Sequence, residues 1–275
     1  MRRRLPILTA ALAAALASAG SAGATTFYLS TLGGPVVPSL PTSRGGDIVE
    51  YDDVANTTTI FFSEDLFTAQ EEIDALELLP NSHMLLSTAS SASLGGISFV
   101  NGDIVEYDPV ADLATLIFEE QPHFQGQADV DAVAMLPNGN LLFSTEGNAT
   151  LTLVSGNMSV GGGDIIEWNL ATDTFVGVFF SHSADIDAFD VTDDGRYAFS
   201  TTVDSSIADL PFFTDSDLVL YDPFLDTAII WIPESFFGDP ANSPLDAIAV
   251  TVPEPSAFGL LALGLVGLAI VGRRS

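Results

Sequence analysis

Four aspartates recur at matched places in the chain. Asp74, Asp131, Asp187 and Asp246 each follow an aliphatic residue and precede alanine, in Ile73-Asp74-Ala75-Leu76, Val130-Asp131-Ala132-Val133, Ile186-Asp187-Ala188-Phe189 and Leu245-Asp246-Ala247-Ile248. Three of them have a second acid two residues upstream: Glu72, Asp129 and Asp185. Carboxylates gathered around one axis are hard oxygen ligands of the kind Ca²⁺ takes, about six to eight of them at roughly 2.3–2.6 Å. Without a cation, like charges at close range disfavour ionisation. The same residues have a structural reading, because an aspartate at a strand start hydrogen-bonds turn amides. A Ca²⁺ site built from Asp74, Asp131, Asp187, Asp246, Asp129 and Asp185 is one expectation, and capping is the other.

Other chemistry is harder to place. His83, His123 and His182 are far apart in sequence, and only the last two fall in equivalent loops. No G-x-S-x-G turn supports a serine nucleophile, and no glycine-rich phosphate loop or EF-hand is present. Acid pairs for glycoside cleavage carry no information in a chain with 37 acidic residues. No catalytic residue is nominated, which leaves enzymatic activity open and favours a non-enzymatic role.

The elements that would gather the four aspartates are read from internal repeats. Gly46-Asp47-Ile48-Val49-Glu50-Tyr51-Asp52 returns at Gly102–Asp108, Gly163–Asn169 and, with serine for glycine, Ser216–Asp222. Ser30-Thr31, Ser87-Thr88, Ser144-Thr145 and Ser200-Thr201 are spaced by 57, 57 and 56 residues. Each unit reads as four short strands. The Asp-Ala strand is apolar throughout, as a strand buried on both faces should be. A tight turn follows, then the Ser-Thr strand, a long loop, and an alternating strand such as Asp103–Tyr107. Ala114–Phe118 is the last strand of its unit. The expected fold is all-β, a four-bladed β-propeller of ~57-residue, four-stranded repeats. The chain starts inside a unit and ends on a lone Asp-Ala strand, Leu245–Val250, so the ring should close by pairing of the N- and C-terminal strands.

With the Asp-Ala strand innermost, the short turns share one face and the long connections the other. Long loops on a rigid scaffold are the usual place for binding. That places the expected site on the long-loop face, where Phe212, Phe213, Phe236 and Phe237 are candidate ligand-face aromatics. Tyr51, Tyr107, Trp168 and Tyr221 hold equivalent places in the third strands, which suits blade packing.

The ends read as addresses. Arg2, Arg3 and Arg4 precede an apolar stretch and Ala22-Gly23-Ala24, the pattern of a signal peptide over 1–24. At the other end Pro253-Glu254-Pro255 is followed by sixteen uncharged residues, Ala257–Gly272, and by Arg273-Arg274. Sixteen helical residues span ~24 Å, short of a ~30 Å hydrocarbon core unless flanking residues contribute. The expected organisation is 1–24, a repeat domain 25–252, and a tail 253–275 with a transmembrane helix at 257–272. Between the ends, two arginines face 36 acidic residues and no cysteine or lysine occurs. A field of that sign repels nucleic acid, so no nucleic-acid partner is expected, and stability rests on burial without disulfides.

The order of the tail (Pro-Glu-Pro, apolar helix, basic stop) resembles the PEP-CTERM sorting tail of exported bacterial proteins. That resemblance implies a transient stay in the inner membrane, processing by an exosortase-type protease, and delivery to the cell surface or beyond. It also implies an extracellular polysaccharide or matrix protein as partner. More weakly, the Asp-Ala innermost strand is similar to hemopexin-type repeats, which implies cations in a central channel, although the units here are longer and lack cysteine. The functional expectation is a cell-envelope binding or matrix-associated protein. An extracellular enzyme acting on polysaccharide and a cation-stabilised structural surface protein are the alternatives.

Overall fold

The computed structural model describes residues 25–33, 43–237 and 245–251. The expected signal peptide, the helix at 257–272 and the tail residues Pro253, Glu254, Pro255, Arg273 and Arg274 lie outside the described residues. Thr26–Thr251 forms one compact unit. Within it are four sheets of four antiparallel strands, the blades of a propeller. From the axis outward, blade I is Leu245–Thr251, Thr26–Thr31, Ile48–Asp52 and Thr57–Phe62. Blade II is Ile73–Leu78, Met84–Thr88, Ile104–Asp108 and Leu113–Phe118. Blade III is Ala132–Met135, Asn140–Ser144, Asp164–Asn169 and Thr174–Ser181. Blade IV is Ile186–Val191, Tyr197–Thr201, Leu218–Asp222 and Thr227–Ile232.

The ring closes as expected. Thr26 pairs with Thr251, Phe27 with Val250 and Leu29 with Ile248, so the last described strand is the innermost strand of the blade that begins the domain. The innermost strand of each blade abuts those of both neighbouring blades around the circle. Their small, apolar residues make this possible: Ala75, Ala132, Ala188 and Ala247 are all fully buried.

Four apolar clusters fill the four wedges between neighbouring blades. Here the structure departs from the sequence reading. The connections from second to third strand, read as long loops, contain β-hairpins in three blades: Ala92–Leu94 with Ile97–Phe99, Ala149–Leu151 with Met158–Val160, and Ser205–Ile207 with Leu210–Phe213. Each hairpin packs into a wedge, with Leu94, Phe99, Leu151, Val160 and Phe213 buried there. Four sheets around one axis splay by about a right angle, so their outer strands diverge and leave volume that side chains alone do not fill. Gly95 and Gly96 make the first hairpin turn with φ of 54° and 86°, the doubly positive pair a two-residue type I′ turn requires. The Gly95 carbonyl then accepts Ala114 N–H on the outermost strand at 3.0 Å.

The repeated motifs resolve into repeated bonds. Asp47, Asp103 and Asp217 each accept one backbone N–H from the preceding turn (Arg44, Val100, Thr214) and one from the connector to the next blade (Glu64, Glu120, Glu234), at 2.7–3.0 Å. Asp164 accepts Gly161 N–H and the Ser181 hydroxyl. Thr88, Thr145 and Thr201 each donate to the carbonyl two residues on. Tyr51, Tyr107, Trp168 and Tyr221 donate to Asn56, Asp112, Asp173 and Asp226. Those four acceptors sit at φ of 51–54° in the turn before the outermost strand, where Asn and Asp are the side chains best suited.

Candidate functional site

The aspartate collar is produced by a backbone irregularity repeated in three blades. The ladder between innermost and second strands runs Ile73–Thr88 then Ala75–Ser87, Ile186–Thr201 then Ala188–Ser200, and Leu245–Thr31 then Ala247–Ser30. Asp74, Asp187 and Asp246 are the residues skipped, each the extra residue of a β-bulge. Asp131 stands one residue outside its strand. Bulges re-aim side chains, and here they place like charges within mutual influence. Asp74 responds to Asp129, Asp246 and Asp131. Asp131 responds to Asp187 and Asp185, and Asp187 to Asp246 and Asp185. The charges of these acids thus act on one another between blades.

Burial dominates their ionisation. Asp74 and Asp131 are 8% and 5% exposed, and burial first, neighbouring carboxylates second, hold both well above the usual carboxylate range. A 2.6 Å hydrogen bond from the Ser144 hydroxyl partly offsets this at Asp131. Asp187 is raised for the same two reasons. Burial and the Glu72 charge push Asp246 up to about 7, and burial pushes Asp129 up to about 6. Asp185 is raised by burial against a counteracting bond from Gly147 N–H.

Four carboxylate oxygens of this set are shielded from solvent without a partner: Asp74 Oδ1, Asp129 Oδ1, Asp131 Oδ2 and Asp185 Oδ1. Unpaired buried acceptors cost about 1–3 kcal/mol each, more when charged. Hard, orphaned oxygens fit the donor chemistry of Ca²⁺. Among the described residues, however, no three acidic or imidazole side chains converge closely enough to hold one ion as they stand.

The serines of the Ser-Thr motif, unassigned from sequence, tie this region together. Ser144 also reaches the Ile186 carbonyl of blade IV, and Ser200 reaches the Leu245 carbonyl of blade I. Each thus bridges to the residue just before the next blade's aspartate.

The candidate aromatics do not form one surface. Phe213 and Phe237 are wholly buried core residues, a correction to their reading as ligand-face groups, since the hairpin and the connector turn them into the wedges. Phe236 packs on Tyr51 with ring centres 4.6 Å apart. Phe212 alone of the four is well exposed, at 57%. The histidines are engaged separately. His83 contacts Glu106 at 2.6 Å, His123 contacts Asp173 at 3.1 Å between Phe118 and Trp168, and His182 meets the Ser206 carbonyl at 3.2 Å.

A second concavity lies where the sequence reading did not look. A cavity of about 870 Å³ is lined by described residues. It opens at the short-turn end of the channel, framed by Leu79–Ser82, Leu136–Gly139, Thr192–Gly195 and the strand end Val250–Thr251. A smaller one of about 500 Å³ lies by Arg44, Glu64, Glu71 and Glu72.

Comparison with known proteins bears on the tail and gives little for the propeller. Solved structures with similarity include a protein of unknown function from Bacteroides caccae, at 10% identity and a TM-score of 0.39 over 84% of this chain and 100% of that one. Another is the extracellular domain of a putative one-component system from B. thetaiotaomicron, at 9% identity and a TM-score of 0.33 over 77% of this chain and 33% of that one. The fold assignment rests on the ring closure and not on these likenesses. A search of curated proteins finds no match. Residues 251–274 match the PEP-CTERM protein-sorting motif, which marks an exported protein sorted to the cell surface by way of the membrane and implies processing by an exosortase.

Proposed function

We propose that the mature propeller is a non-enzymatic binding component of the cell surface, with extracellular polysaccharide as its partner and cations as part of its charge balance. On this reading residues 1–24 are removed on export, and the apolar stretch 257–272 anchors the chain until the tail is cut. The observation that carries the proposal is the contrast between engaged and unengaged polar groups. The repeated acids that precede the third strands, Asp47, Asp103 and Asp217, are used up in holding turns and connectors. Of the seven buried carboxylate oxygens without a partner among the described residues, four belong instead to the collar acids Asp74, Asp129, Asp131 and Asp185. A domain with two arginines against 36 acids favours cations in its surroundings, and surface sorting brings it to the polymer layer.

The test is retention of the full-length protein on purified extracellular polysaccharide, with product release assayed in parallel. Retention without new reducing ends supports a binding role. Release of fragments would instead establish an enzyme, and no retention would end the proposal.

The orphaned collar oxygens favour a linked reading in which Ca²⁺ stabilises the ring. Calcium is then expected to raise the melting temperature by several degrees, and the double change Asp131→Asn with Asp187→Asn should abolish that increment. Identical melting with calcium and with chelator removes the cation from the account.

A further inference from the structure

The cavity at the short-turn end has a composition unlike the collar. Its wall is apolar and aromatic, from Tyr28, Phe61, Leu78, Met135, Leu136 and Val250, and it holds the two carboxyls Glu77 and Asp190. Asp190 is 4% exposed and accepts Val250 N–H at 2.6 Å. Glu77 lines the same wall and feels the Asp190 charge, while its Oε2 is closed off from solvent with no partner. Two carboxyls in contact need a proton or another positive group between them. Burial and then Asp190 push the Glu77 carboxyl well above its usual range, so that it can supply that proton. Above the pair, Tyr28 and Phe61 meet edge to face with centres 4.7 Å apart, and the Phe61 side stays partly exposed.

We propose that this mouth binds an amino-sugar residue of a polysaccharide, with its ammonium between Glu77 and Asp190 and its ring against Tyr28 and Phe61. The proposal rests on the polysaccharide-binding reading above and names the sugar class. An ammonium carries three donors, enough to meet the Asp190 and Glu77 carboxyls together, replacing the shared proton. Aromatic faces suit the apolar side of a sugar ring and attract its cationic group. The volume lies within the ~300–1,000 Å³ of small-molecule sites and exceeds what one thin lysine side chain occupies. Asp193 at the rim adds negative charge that disfavours uronic acids and other anionic sugars. N-acetylation would remove the charge that the two carboxyls select.

The test is calorimetric titration of the full-length protein, in non-ionic detergent, with a glucosamine tetramer, its N-acetylated counterpart and tetralysine. The glucosamine tetramer should bind at least tenfold more tightly than either of the others. Glu77→Gln should weaken it tenfold or more, and Phe61→Ala, on the exposed wall, at least threefold, with melting curves retained. Equal affinity for the acetylated tetramer, equal affinity for tetralysine, or unchanged affinity in a folded Glu77→Gln protein overturns the proposal. Retention on matrix polysaccharide is measured alongside. Matrix binding without tetramer binding overturns this inference alone, whereas tetramer binding without matrix binding overturns only the broader reading.

Discussion

Asp103 holds two parts of its blade with one carboxylate, accepting Val100 N–H at 3.0 Å and Glu120 N–H at 2.9 Å while 5% exposed. Removing it leaves two buried amide donors without partners. Asp103→Ala should therefore cost about 2–4 kcal/mol, lowering the melting temperature by roughly 5–15 °C for a domain of this size. An exposed loop acid such as Asp204 serves as control, where the same change should stay within about 0.5 kcal/mol. At this scale the sequence was informative about position and silent about purpose. The fourfold recurrence of Asp47, Asp103, Asp164 and Asp217 is plain in the text, but whether an acid binds metal or caps a turn depends on which amides lie within 3 Å. Asp74 and Asp103 are equally repeated, yet one has an orphaned oxygen and the other has none.

At the scale of elements, the wedge-filling hairpins decide how blades adhere. Leu151 is fully buried between blades II and III with Phe124, Phe143 and Val160. Leu151→Ala removes apolar contact that neighbouring blades cannot collapse to replace, with an expected loss of about 2–5 kcal/mol in denaturant unfolding. Val154, in the same hairpin's exposed turn, should tolerate serine with little change. Close approach between elements also explains the glycine of the repeated motif. A Cβ at Gly163 would lie 2.1 Å from the His182 carbonyl oxygen, and one at Gly46 would lie 2.3 Å from that of Glu71. Gly163→Ala is expected to cost about 1–3 kcal/mol through overpacking. These hairpins escaped the sequence reading because strands of three or four residues are too short to show an alternating pattern. The two-residue glycine turn Gly95-Gly96 was the one local signal available.

At the scale of the whole molecule, negative charge enclosed by a ring governs how stability responds to pH. Asp190 is held up to about 6 by burial, and Glu77 is raised further by burial and Asp190, whereas unfolded Asp and Glu titrate near ~4. Between those values the folded state keeps protons that the unfolded state has released. Stability therefore falls as pH rises from about 4 through 7. The collar acids Asp129 and Asp246, raised to about 6 and about 7, act in the same direction. Thermal melting in chelator should show a maximum on the acid side and a decline of several degrees toward neutrality. A flat profile over that interval would contradict the burial of these groups.

Repetition alone determined the fold. Three motifs kept in step over four periods impose four equal blades, and a unit split between the two ends of the domain leaves pairing of Thr26–Thr31 with Leu245–Thr251 as the way to complete it. The order of residues at the tail likewise determined the export route, because a sorting signal is read as linear sequence. Tertiary structure decided which acids are spent and which are not. The approach of the Glu77 and Asp190 carboxyls, more than a hundred residues apart, and the mutual influence of Asp74, Asp131 and Asp187 arise only when separate blades meet. Such juxtapositions depend on long-range packing, so no local pattern of residue types encodes them.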